Sequence, residues 1–121
     1  MHRDDYSEKE RLQELKFLEN HIFLGLNNLN DGFDAERIFY FSESDFEIVL
    51  DRVEEFQISV YGIEPWLNKE FFDVHTYEDY NLSASDPKWY RAAFGEFKAV
   101  NRELLYSASL GVPFSLLGDS N

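Results

Sequence analysis

The chain has no cysteine, one methionine and three prolines in 121 residues. Without cysteine there is no disulfide and no thiolate metal site, which fits a reducing cytosol. No apolar run approaches the ~20 residues of a membrane-spanning helix. Met1 is followed by the polar run His2, Arg3, Asp4, Asp5 where a signal peptide would begin its apolar stretch. The expected address is therefore the cytoplasm. Bases are scarce as well: 11 Lys and Arg stand against 24 Asp and Glu, a net charge of −13. Phosphate backbones and anionic lipids are held by clustered Lys and Arg. The composition thus argues against direct nucleic-acid or membrane binding.

What the chain does have is aromatic mass: seven Tyr, twelve Phe and two Trp, enough to argue against wholesale disorder. The length suits one domain with one core. The acid is concentrated. Residues 43–86 hold twelve acids and two bases, whereas residues 87–121 hold three acids and four bases. Like charges repel, so the middle segment carries an electrostatic cost in the compact state. A field of this sign attracts a basic protein.

Ser7 and Glu10 make a capping box ahead of a stripe of Leu12, Leu15, Leu18, Ile22 and Leu26, which predicts an N-terminal amphipathic helix ended by "NNLNDG". "RIFYF" at 37–41 reads as a strand. Ser42 or Ser44 can cap the next helix, whose buried stripe is Phe46, Val49, Leu50 and Val53. "QISVYGI" alternates as a strand, "EPWLNKE" reads as a loop because Pro65 breaks a ladder, and "FFDVHTY" reads as the next strand. Asp86 and Pro87 open a further helix with Tyr90, Ala93, Phe94 and Phe97 inward. "ELLYSASL" reads as a last strand before a tail.

The order after the first helix is β-α-β-β-α-β. It predicts an α+β fold, a ferredoxin-like βαββαβ sandwich with an antiparallel sheet. The expected divisions are a helix and linker over 1–30, the sandwich over 31–112 and a tail over 113–121.

Three constellations could carry function. Glu47, Asp51, Glu54 and Glu55 lie at helical spacing opposite the apolar stripe, with only Arg52 interrupting them. Helix-stabilising pairs need opposite signs, so this surface reads either as a solvated face or as a contact for a basic partner. Trp66, just beyond Pro65, is either an interface anchor or a ring folded over the core edge. Asp73, His75 and Tyr77 alternate on one expected strand face. They could serve acid–base chemistry or bind a small ligand, but they supply too few groups for a metal site. No metal or cofactor is expected. "SDPKWYR" at 85–91 is the one locally basic, aromatic stretch.

The turn and helix start in "NDGFDAERIFYFSESDFE", carried by Asp31, Gly32, Asp34, Ser44 and Asp45, resemble the regulators of ribonuclease E activity of the RraB type. The last strand keeps only Tyr106 of that family's run, and the long acidic C-terminal extension of some members is absent. The resemblance implies a cytoplasmic, non-enzymatic protein that inhibits a ribonuclease by binding it. An immunity protein against a basic toxin would use the same physics. An enzyme or ligand binder built around His75 is the alternative from a different class.

Overall fold

A computed structural model describes residues 8–117. Helix α1 (Glu8–Phe17) continues as a π-helical turn, Leu18–Ile22. Helix α2 (Glu43–Phe56) leads into strand β1 (Ser59–Leu67), and short strands β2 (Glu70–Phe71) and β3 (His75–Thr76) follow. A 3-10 turn (Tyr77–Tyr80), helix α3 (Pro87–Val100), strand β4 (Leu105–Gly111) and the short helix α4 (Phe114–Leu117) complete the order. The class is α+β, with a small open antiparallel sheet. Ser7, one half of the expected first cap, lies outside the described residues.

Both long helices start where local chemistry puts them. The Ser42 side chain accepts from the Asp45 N–H at 3.2 Å, and Asp86 accepts from the Lys88 N–H at 2.9 Å with Pro87 in the first turn. Helix α2 stops at Gln57, which takes a left-handed φ of 58°. Phe46, Val49, Leu50 and Val53 of α2 and Trp89, Tyr90, Ala93, Phe94 and Phe97 of α3 are buried as their spacing requires. They share one apolar cluster with Leu18 and Ile22 from the first helix, Ile63 and Tyr106 from the sheet, and Leu117 from α4. The segment expected as a tail therefore contributes to the core.

Strand β1 differs from the expectation, and the reasons are local. It runs through Pro65 to Leu67 and turns back over Asn68 and Lys69, whose φ values of 53° and 66° suit a tight two-residue hairpin. The Pro65 carbonyl accepts from Phe72 N–H at 3.0 Å, so the N–H that proline lacks belongs to the hairpin edge. At that point the returning chain leaves the ladder, and the expected strand over 71–77 is split into β2 and β3. Beyond β3, Asp79 accepts from the Thr76 N–H at 2.8 Å in a capping box, which turns Tyr77–Tyr80 into a helical coil.

The sheet order also differs from the ferredoxin-like arrangement. Strand β4 pairs directly with β1 along its length, from Ser59↔Gly111 to Trp66↔Leu105, with a bulge between Val60 and Gly62. "RIFYF" joins the other edge of β4 through a single bridge, Phe41↔Tyr106. Asparagine side chains hold the rest of that segment. Asn28 Oδ1 accepts from Tyr40 N–H at 3.1 Å, and Asn30 Nδ2 donates to the carbonyls of Ala35 at 2.9 Å and Ile38 at 2.8 Å. Gly32, at φ 115°, makes the turn that wraps the chain around Asn30.

Candidate functional site

The acidic face of α2 is exposed but is not uniformly free. Arg91 of α3 reaches Asp51 at 2.8 Å and Glu54 at 3.1 Å. Arg52, the base that interrupts the acids in sequence, donates to the Ile22 and Leu24 carbonyls at 2.9 and 2.8 Å instead. It therefore caps the end of the first helix and leaves its acidic neighbours alone. Arg102 grips Glu43 through two nitrogens, and this hydrogen-bonded clamp holds the Glu43 carboxyl below its ordinary value of 4.5. Glu47 and Glu55 stay exposed, and no ion pair among the described residues involves them. The four residues singled out in the sequence thus divide into a clamped pair and an unclamped pair.

Trp66 is half-buried. Its Nε1 donates to Glu64 at 2.7 Å, and its ring packs against Tyr40 at 5.3 Å and Phe33 at 5.5 Å. It closes the sheet face opposite the long helices, so only part of its ring is available to a partner.

His75 does not share an open face with Asp73 and Tyr77. It stands opposite Ile63, which is buried, and its ring lies 4.5 Å from that of Phe97 in α3. Paired residues of an antiparallel ladder point to the same side, so His75 is tucked beneath α3. Its Nδ1 is 2.9 Å from the Tyr80 hydroxyl, and that hydroxyl donates to Glu96 at 2.8 Å. Burial and the Glu96 acceptor push the Tyr80 phenol up from its ordinary range. Asp73 is 3.6 Å from the far ring nitrogen. The arrangement ties the 3-10 turn to α3. Among the described residues, no group of three or more His, Asp or Glu is placed to hold a metal ion.

A fourth place was not singled out from the sequence. A cavity of about 210 Å³ lies between residues 37–41 and the outer edge of β4. Asp34, Tyr40, Glu64 and Ser107 are among its lining groups. The Tyr40 hydroxyl donates to Asp34 at 2.5 Å. Burial, then that bond, then the Asp34 and Glu64 charges keep the phenol protonated well above its ordinary range. No spacing in the sequence connects Asp34, Tyr40, Glu64 and Ser107, so nothing there announced this cavity. What hid it is that "RIFYF" looks like a fully paired strand.

No family model, no curated protein and no solved structure matches this chain. No described helix is long and apolar enough to cross a membrane.

Proposed function

We propose that this chain is an acidic binding protein that inhibits a basic protein partner, with a nuclease as the target class. Support comes from one observation. The arginines nearest α2 are spent inside the fold, on Asp51, Glu54, Glu43 and two backbone carbonyls, so the exposed Glu47 and Glu55 keep their charge for an outside cation. With a net charge of −13, association with a basic partner is fast and salt-sensitive. Asp51 and Glu54 extend the contact through their clamped but exposed carboxylates, and Trp66 offers an aromatic edge on another side of the molecule.

The structure also supplies a cleaner variant than a change at Asp51, which would release Arg91. Reversal at Glu47→Lys together with Glu55→Lys disturbs no intramolecular pair among the described residues. In pull-downs from the source-cell lysate, wild type captures a basic protein at low salt and releases it at high salt, and the double variant captures none. Purified ribonuclease E, the target that the family resemblance implies, is the first defined partner to assay for inhibition. The proposal fails if wild type captures no basic protein, or if the folded double variant captures the same protein equally well at low salt.

A further inference from the structure

Strand β4 is paired on one edge and nearly bare on the other. Tyr106 exchanges both backbone hydrogen bonds with Phe41, at 2.9 and 2.8 Å. By the alternation of an antiparallel strand, Ala108 and Leu110 turn their N–H and C=O groups to the same outer edge. The next outward N–H, that of Val112, donates to Glu14 Oε2 at 2.9 Å and ends the open stretch. On the facing wall, the same alternation turns the polar groups of Phe39 and Arg37 toward β4 and those of Tyr40 and Ile38 away from it, and among the described residues no backbone bond joins Phe39 or Arg37 to β4. Residues 37–41 and β4 are therefore two strands hinged at Phe41↔Tyr106 and splayed beyond it, and the cavity of about 210 Å³ is the gap between them.

The gap carries a polar signature of its own. Ser107 stands opposite Glu64, so both side chains rise from the same sheet face. Ser107 is only 9 % exposed and lines the gap. Two carboxylates, Asp34 and Glu64, line the same gap. Each already accepts a bond from a neutral aromatic donor, Tyr40 or Trp66, and keeps further acceptor positions. The lining's own cation, Arg37, is held by Glu8 at 3.4 Å. The unpaired edge groups of β4, the Ser107 hydroxyl and the two carboxylates all have hydrogen-bonding capacity left. A ligand that offers backbone donors and acceptors together with a cation would satisfy all of them at once.

We infer that the splayed edge of β4 takes a short extended peptide segment with a lysine or arginine, resting on the reading of the chain as a binder of basic proteins. The segment pairs its backbone with Ala108 and Leu110 by strand addition. Its basic side chain passes Ser107 toward Glu64 and Asp34. The gap is smaller than the roughly 300–1,000 Å³ of small-molecule sites, which suits one side chain with its flanking peptide groups.

Two measurements on the full chain test this. In the free protein, hydrogen exchange at the Ala108 and Leu110 amides is fast while the Ser107 and Ser109 amides, turned toward β1, are protected. Titration with the blocked tripeptide acetyl-Ala-Lys-Ala-amide at millimolar concentration then shifts the Ala108, Leu110 and Phe39 amide resonances. The norleucine analogue binds about tenfold more weakly and the glutamate analogue does not bind, as expected for loss of a charge-assisted bond. Glu64→Gln removes the preference for lysine over norleucine. Equal protection of all four amides means that residues 37–41 have zipped shut, and it overturns the inference. Indifference to the tripeptide, or equal shifts with all three peptides, overturns it too. If the cleft fails while the Glu47/Glu55 reversal still abolishes capture, the acidic-helix reading survives alone. If the peptide binds and the reversal has no effect, the cleft survives without the helix.

Discussion

The two edges of β4 share one strand but have different fates. The inner edge is laddered to β1 across its length, and the outer edge holds one bridge to Phe41. The difference is not one of strand propensity, because "RIFYF" is as aromatic and β-branched as a strand needs. It lies in what holds the backbone on each side. Against β1, the ladder is backed by Trp89, Phe94 and Phe97 pressing on the same sheet face, and Trp89 Nε1 donates to the Val60 and Ala84 carbonyls at 3.2 and 3.3 Å. Against residues 37–41, Asn28 and Asn30 bond the Tyr40 and Ile38 groups on the side away from β4 and anchor that segment there. A strand edge closes when packing supports it and stays open when a polar loop pulls on its neighbour.

Breaking the inner side gives the largest expected effect. Trp89→Ala removes a fully buried ring and costs about 3–5 kcal/mol, measured as a drop in the denaturant midpoint. That is a large part of the stability of a domain this size. Asn30→Ala acts on the other side. Its side chain serves Gly32 and Asp34 N–H as acceptor and the Asp34, Ala35 and Ile38 carbonyls as donor, so its loss costs about 1–3 kcal/mol. Amide exchange should speed up at Phe41 and Tyr106 and leave Ser107 unchanged. A uniform loss of protection would mean that the two edges are one cooperative unit.

Smaller effects come from pH. Tyr90 and Tyr106 are buried, and among the described residues their hydroxyls have no partner; burial first of all pushes each phenol from 10.0 up to about 12. Their folded pKa values are raised, so their stabilising contribution is complete below pH 10 and is lost as pH rises toward about 12. Tyr106→Phe flattens that alkaline loss, followed by near-UV absorbance and circular dichroism, and at neutral pH it is neutral or slightly stabilising because no bond is removed. Glu43 has the opposite sign. Its pKa is lowered by Arg102, so its contribution is present above 4.5 and is lost as pH falls through the depressed value. Arg102→Ala returns the Glu43 titration, followed by carboxyl carbon NMR, toward its ordinary value. The effect on overall stability is the smallest of the set, because Arg102 is exposed.

The helices were legible residue by residue. Ser42, Asp86 and Pro87 occupy their expected places, and the stripes of α2 and α3 are buried in full. The first helix is a partial case, since Leu18 and Ile22 are buried while Leu12 is 45 % exposed. Candidate-site residues were less legible. Glu47 and Glu55 are exposed as spacing demands, but nothing in the spacing announces that Arg91, forty residues from Asp51, would clamp that acid. His75 lay on the wrong expected face because alternation was counted along a continuous strand that Pro65 interrupts.

By itself the sequence determined the caps, the helical stripes, the acid excess and the presence of strands in an α+β chain. These depend on neighbours a few residues apart, where capping bonds and side-chain period act directly. Tertiary structure alone decided which strands pair, which acids are clamped and where a cavity opens. Those outcomes are settled between groups that local pattern does not pair: the loop around Asn30 anchors residues 37–41 from the side away from β4, and Arg91 competes with solvent for Asp51. Such contests are decided by small differences in free energy between alternative partners, and local pattern does not encode who those partners are.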